Sequence, residues 1–250
     1  MTSHLNINNI FFDGSYKAVW RKLIPPGLTD AEVDFIIEIA GLKSKSHVLD
    51  LMCGYGRHAL ELARRECLVT AIDNLLAYTK EIKTKAAKEG LAINAITADV
   101  VNVNLDGMYE AAICMGNSFA FFNKEDALKL LQSVASVLKE NGKLIINTWM
   151  LGEIAIRHFK EKDWFYVDDY KYLLNSKFLF NPTRIESDHI IIKTGIEEEV
   201  IKGIDYIFTV SELNEMLNFA GFSLNEMYST PRKRKFQFGD TRVYIVAEKK

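Results

Sequence analysis

The chain has 250 residues, 48% of them hydrophobic and 26% charged, with a formal net charge of −2. That suits one large domain or one domain carrying a sizeable insertion, and leaves no overall electrostatic pull toward nucleic acid or an anionic membrane. Cys53, Cys67 and Cys114 are odd in number and unpaired in spacing, the start lacks a signal-peptide pattern, and no apolar run is long enough to span a membrane; the expectation is a cytoplasmic protein without a disulfide framework.

In chain order, "TDAEVDFIIEIAG" reads as a helix with a capping box of Thr29 and Glu32, a face of Val33, Ile36, Ile37 and Ala40, and a stop at Gly41. Strands and helices then alternate. "HVLDL" is a buried strand, followed by a helix from about Gly56 to Glu66 and the strand "LVTAID". A helix from Leu75 to Glu89 closes on Gly90, and the strands "AINAIT" and "EAAICM" follow. "KEDALKLLQSVASVLKENG" is a helix ending near Gly142, and "KLIINTW" is the fifth strand. Such alternation predicts an α/β fold, a doubly wound, mostly parallel sheet covered on both faces. Ligands of such sheets bind beyond the carboxyl ends of the strands, where strand order switches.

The pattern changes after Trp149. Residues 150–209 are rich in aromatic and β-branched residues, with "NPTR" as a turn, and read as an inserted antiparallel β lobe of short strands. The α/β pattern resumes with "SELNEMLNFAG", capped by Ser211 and stopped at Gly221, and two last strands. The predicted division is therefore 1–149 for an N-terminal arm and cofactor-binding core, 150–209 for a substrate or lid lobe, and 210–250 for completion of the core.

The turn after the first strand, "VLDLMCGYGRHALELA", carries Gly54, Gly56 and Ala59 at the spacing of a dinucleotide fingerprint, with Asp73 placed for a ribose. Asp50 argues against a pyrophosphate there. Its carboxylate ends the strand beside the turn, where a phosphate's charge would cost a few kcal/mol at an effective dielectric of about 20. A cationic, phosphate-free ligand reverses that sign. S-adenosylmethionine, with a sulfonium and an ammonium, is such a ligand, and glycines let backbone lie against it. The reading requires the Asp50 carboxylate to face the crevice.

Taken together, "VLDLMCGYG", "VTAID", "TADV", "AAICMGNSFAFF" and "LKENGKLIINTW" resemble, in order, the motifs of the class I S-adenosylmethionine-dependent methyltransferases. The resemblance covers roughly residues 45–150 and implies a seven-stranded Rossmann-like methyltransferase fold with S-adenosyl-L-methionine as cofactor. It implies that Asp50, Met52, Gly54 and Gly56 form the turn against the methionine portion. Asp73, with Asn74 beside it, would bind the ribose hydroxyls, Asp99 would face the adenine amino group, and Val100 would line the ring. Met115 would run alongside the methionine moiety and Asn117 would face substrate. Met52 departs from the pattern, since many members have glycine there.

The acceptor is less constrained. The segment "CMGNSF" lacks the Asn/Asp-Pro-Pro-Tyr/Phe motif that clamps a flipped base, so no nucleic-acid partner is expected. "ICMGNSFAFF" and the upstream "AVWRKLIPP" resemble glycine N-methyltransferase, which implies a small-molecule acceptor and an arm over the cofactor, with Tyr16 and Trp20 as closing residues. Arg57 and His58 either reach a carboxylate of substrate or cofactor or form a solvated helix start. Tyr166 and the aromatics near it either line the acceptor pocket or form the lobe's own core. His158 and His189 are candidate bases, although a lone strand histidine is more often structural. Cys114 reads as a buried thiol and "PRKRKF" as a solvated loop. No spacing identifies a catalytic residue, and none suits a metal.

The expected function is direct methyl transfer to a nitrogen or oxygen of a small molecule, by a monomer or homodimer. Nitrogen is preferred because an amine needs only to be neutral at attack, whereas a hydroxyl needs a base. The alternatives are a non-catalytic binder of the same cofactor, acting as a sensor or partner subunit, and an NAD-dependent oxidoreductase.

Overall fold

In the computed structural model, which describes residues 6–250, five strands run parallel. They are β1 (His47–Leu51), β2 (Leu68–Asp73), β3 (Ile93–Thr97), β4 (Tyr109–Cys114) and β5 (Leu138–Thr148). β11 (Val243–Lys249) lies antiparallel between β5 and β10 (Phe222–Tyr228), giving the order β10-β11-β5-β4-β1-β2-β3. The order reverses between β1 and β4, and the crevice of an open α/β sheet opens there.

Alternation along β1 decides what each residue faces. Leu49 and Leu51 join the core layer that α5 (Lys124–Val137) and α7 (Val210–Phe219) cover with Leu130, Leu131, Val134, Leu213 and Leu217. Val48 faces the other layer, closed by α2 (Leu28–Ala40), α3 (Arg57–Arg64) and α4 (Leu76–Glu89) through Val33, Ile36, Leu62 and Ile82. Asp50, two residues after Val48, is thereby turned toward α3.

Three expected helix boundaries differ. The capping box of Thr29 and Glu32 does not form: α2 starts after Gly27 in the left-handed region (φ 75°), without a side-chain cap. Glu32 points inward instead. The fifth helix ends at Val137, and Leu138 already pairs with Tyr109 of β4 before a register shift brings Lys143 opposite Ala111. An apolar residue that continues the helical period also suits a buried strand, so periodicity cannot separate the two at Leu138. α7 is capped by Thr209, not Ser211. The Thr209 hydroxyl accepts from the Glu212 N–H and the Glu212 carboxylate accepts from the Thr209 N–H, a complete capping box.

The insertion begins with a helix the sequence does not announce, α6 (Gly152–His158). Then come β6 (Lys162–Val167), β7 (Tyr170–Phe180), β8 (Thr183–Lys193) and β9 (Ile196–Tyr206), an antiparallel sheet in that order. The last three strands have 11 residues each, longer than expected. One face of this sheet packs on the chain's own start. Phe11 and, from α1 (Tyr16–Leu23), Tyr16 and Val19 share a cluster with Tyr172, Ile191 and Ile201. Asn8 stitches this arm to the lobe: its Nδ2 donates to the Ile204 carbonyl at 2.7 Å and its Oδ1 accepts from the Ile204 N–H at 2.9 Å. Among the described residues, no helix is long and apolar enough to cross a membrane.

Candidate functional site: a cleft and an adjoining chamber

A cleft of about 900 Å³, its open mouth included, lies at the carboxyl ends of β1, β2 and β4. Asp50, Met52, Gly54, Asp73 and Asn74 line it from the first two strands and their turns. Asp99 and Val100 line it after β3, Met115 after β4, and Trp20 from α1.

Asp50 is 1% exposed. The backbone N–H of Ala59, in the first turn of α3, favours its charged form, whereas its Oδ2 is buried with no hydrogen-bond partner. Burial pushes its carboxyl up to about 7, Arg57 opposing and Asp73 reinforcing. A half-partnered acid in a cleft wall suits a ligand that brings a cation or hydrogen-bond donors.

Asp73, at the end of β2, accepts the Gly54 N–H on Oδ2 at 2.8 Å and the Leu75 N–H on Oδ1 at 2.9 Å. Those bonds fix the carboxylate on the glycine turn, and each oxygen keeps a second lone pair. Burial raises its pKa, against the pull of these two N–H groups. Asn74 donates to the Asn9 carbonyl at 2.8 Å, tying the arm to the cleft. Asp99 is held by the Val101 N–H and Asn102 Nδ2, at 2.9 and 2.8 Å.

The turn depends on left-handed backbone. Met52 adopts φ 52° and Gly54 φ 56°, so Met52 takes a conformation that favours glycine and carries a strain of roughly 1–2 kcal/mol. Gly56 does not line the cleft. It precedes α3 at φ 80°, where an added Cβ would sit 2.5 Å from Cγ1 of Ile82. Gly56→Ala is expected to destabilise the protein by about 2–3 kcal/mol through this contact and the left-handed penalty, read from urea denaturation midpoints.

Arg57 and His58 are not a solvated helix start. Arg57 donates to Thr29 Oγ1 at 3.1 Å and to Glu32 Oε2 at 2.5 Å, and His58 Nε2 lies 2.9 Å from the same carboxylate oxygen. The Tyr244 hydroxyl donates to Glu32 Oε1 at 2.7 Å. Burial alone would raise the pKa of Glu32, but these partners hold it down to about 2. Burial lowers His58, Arg57 adding to the effect against Glu32. Glu32 is therefore the anion of this cluster, Arg57 its cation, and His58 neutral at pH 7.

A second chamber, about 1680 Å³ including its mouth, adjoins the cleft beneath the inserted sheet. Phe12, Trp20, Gly116 and Phe121 line both spaces. Gly116 has φ 70°, and a Cβ there would stand 3.3 Å from the Trp20 ring.

Tyr16, expected against the cofactor, lines the chamber and not the cleft. One helical turn separates it from Trp20, with rings stacked at 6.5 Å, so only Trp20 reaches the junction. Asn117 lines the chamber. Tyr166 lines neither space and is 66% exposed; the alternation of β6 turns it and Trp164 outward while Phe165 faces in. His158 and His189 both line the chamber. His189 is hydrogen-bonded to the Tyr172 hydroxyl through Nδ1, and burial lowers its pKa to about 4.

The three cysteines are free and buried. In the basic loop, Lys233, Arg234 and Lys235 pair with Glu38, Asp240 and Glu226. No group of three or more His, Cys, Asp and Glu arranged for a metal occurs among the described residues.

The sequence reading misses Glu32 as an ionic hub, Tyr55 and Tyr78 in the cleft, and Asp205 in the chamber. Asp205 leaves one signal, an acid among apolar neighbours in "GIDYIF".

Residues 48–142 match the family described as "Methyltransferase domain". Over 145 residues the chain is 30% identical to the glycine/sarcosine/dimethylglycine N-methyltransferase of Actinopolyspora halophila, a match covering 55% of this chain and 25% of that protein. Over 170 residues it is 28% identical to the ubiquinone biosynthesis O-methyltransferase of Rickettsia felis, covering 65% of each. The chain thus spans less than two thirds of the length of either relative. Among solved structures, the CcbJ methyltransferase of Streptomyces caelestis has a TM-score of 0.80 at 19% identity, over 92% of this chain and 98% of that one. That likeness is one of fold.

Proposed function

We infer that the chain belongs to the class I S-adenosylmethionine-dependent methyltransferases, and from that premise we propose that it moves a methyl group directly to a nitrogen or oxygen of a small molecule. The observation that carries this reading is the buried, half-partnered Asp50 in the wall of the cleft. A ligand ammonium satisfies that oxygen. A diphosphate would instead meet Asp50, Asp73 and Asp99 in one cleft whose cation, Arg57, is already committed to Glu32. The same three acids disfavour the nicotinamide alternative.

In this reading Asp50 and the glycine turn hold the methionine portion, Asp73 with Asn74 the ribose, and Asp99 with Val100 the adenine. The bound cofactor supplies a methyl already activated on a sulfonium, so the protein's work is alignment and exclusion of water. Trp20, Phe12 and Phe121 give the junction apolar walls suited to that task. Residues 1–149 and 210–250 act as the cofactor-binding body and 150–209 as the acceptor lobe, whose strands wall one side of the chamber. The names of the curated relatives, an N- and an O-methyltransferase, agree with a small acceptor. Buried free thiols suit a reducing compartment, in keeping with a cytoplasmic enzyme.

Calorimetry tests the reading. Micromolar binding of S-adenosylhomocysteine is expected, and Asp73→Ala should weaken it about 10- to 100-fold by removing charge-assisted hydrogen bonds. Binding of NAD with none of S-adenosylhomocysteine overturns the assignment.

A further inference from the structure

Asp205 stands on β9 in the wall of the chamber, opposite Ile185 of β8. Its Oδ1 accepts from Asn117 Nδ2 at 3.0 Å. The Asn117 amide has no freedom to turn away. Its Oδ1 already accepts from the Thr148 hydroxyl at 2.7 Å and the Trp149 N–H at 3.1 Å, so its NH2 must face Asp205. Asn117 also follows Gly116, which lines both the cleft and the chamber. The contact therefore ties a carboxylate of the inserted lobe to the place where the two spaces meet. Among the described residues, Asn117 is the one group that favours the charged form of Asp205, and burial pushes this carboxyl up to about 7.

The other groups around Asp205 narrow its chemistry. Tyr16 comes from α1, Tyr172 from β7 and His189 from β8; burial raises both tyrosines, and His189 is neutral at pH 7. His158 from α6 and Arg242 from the approach to β11 also line the chamber, where Asp163 is paired with Lys160 at 3.0 Å. A carboxylate with one amide partner, facing aromatic walls, is matched by a small cation bearing N–H donors. It is not matched to a hydroxyl acceptor: an alcohol holds its proton too tightly for a carboxylate to remove.

Resting on the methyltransferase reading, we propose that the acceptor is a protonated primary or secondary amine, and that Asp205 receives its ammonium and takes its proton. An N–H bond of the ammonium breaks and the proton passes to the carboxylate, giving a neutral carboxyl and a free amine. The amine lone pair forms the N–C bond to the methyl while the S–C bond breaks, its electron pair staying on sulfur. Positive charge moves from sulfur to nitrogen. The carboxyl returns its proton to water after the methylated ammonium departs.

The test uses the full chain, labelled S-adenosylmethionine, a panel of small primary and secondary amines, and alcohols and phenols of matched shape. Wild type should label amines and leave the hydroxyl compounds unlabelled. Its kcat/KM should rise with pH through a limb near 7. Asp205→Asn keeps an atom to accept from Asn117. It should hold S-adenosylhomocysteine within about twofold of wild type, lose at least about 100-fold in kcat/KM for amines, and lose the limb. It should also abolish saturable amine binding, measured by calorimetry, in the S-adenosylhomocysteine complex. His158→Gln should retain the limb.

Preferential labelling of hydroxyl compounds, labelling of no amine, or an Asp205→Asn enzyme with wild-type kcat/KM on amines overturns the proposal. So does a limb that disappears with His158→Gln, a comparison that decides the matter even if Asp205→Asn fails to fold. A wild-type protein that binds no S-adenosylhomocysteine fails at the earlier step, the cofactor assignment, which the calorimetry reads separately.

Discussion

Glu32→Ala is expected to cost about 3–5 kcal/mol of stability, the range for breaking a buried ion pair by removing one partner. Glu32 is 1% exposed and accepts from three side chains on two other elements: Arg57 and His58 of α3, and Tyr244 of β11. Without it the Arg57 charge, itself only 10% exposed, stays inside with Thr29 as its remaining hydrogen-bond acceptor. The Tyr244 hydroxyl loses its acceptor as well. Urea denaturation reads the loss as a lower midpoint at unchanged slope. Because Arg57 lines the cleft and opposes the raised pKa of Asp50, S-adenosylhomocysteine affinity should fall with it. A change below about 1 kcal/mol, ordinary for a surface position, would show that the cluster is not the joint between α2, α3 and the sheet.

The second large effect is a dependence of ligand-free stability on pH. Asp50 is fully buried, and its carboxyl rises from an unfolded value near 3.8 to about 7. The native state therefore binds this proton more tightly than the unfolded chain does. Stability is highest below the unfolded value and declines as pH rises through the folded one, by on the order of 2–4 kcal/mol for this group. Asp205 and Asp73, also raised by burial, act with the same sign. Glu32 acts oppositely: its stabilisation is present above an unfolded value of 4.5 and is lost as pH falls toward 2. Thermal melts should peak near pH 5 and fall by pH 8. Saturating S-adenosylhomocysteine, whose ammonium is proposed to meet Asp50, should raise the melting temperature more at pH 8 than at pH 5. Equal ligand-free melting temperatures at the two pH values would place these carboxyls in their ordinary range.

The parallel sheet and the cleft were legible because both rest on local rules. Alternation of strand and helix announces the sheet, and a glycine turn after a strand marks where its ligand lies. Asp50, Asp73 and Asp99 each sit at or just past a strand end, where sequence position alone puts a side chain at the crevice. The chamber was harder to read because its walls come from distant segments. Tyr16, Asn117, Tyr172, His189 and Asp205 meet only after the lobe folds back over the arm. Which face of β6 looks inward depends on its register against β7, so Tyr166 and Phe165 cannot be told apart from composition. Glu32 misled for a related reason. Thr-x-x-Glu is a good local cap, but the buried cation and imidazole on α3, out of reach of local patterning, took the carboxylate instead.

The junction at Gly116 has a consequence for how such a molecule diversifies. Where the two spaces meet, part of the partition is bare main chain, and a bulkier residue would press on the Trp20 ring. The cleft is lined mainly by loops of the parallel sheet, whereas much of the chamber's lining comes from the appended strands. Asp205 apart, which is bonded to Asn117, side chains on those strands can be exchanged without disturbing the loops opposite. A lineage built this way is free to change its clientele while keeping its currency.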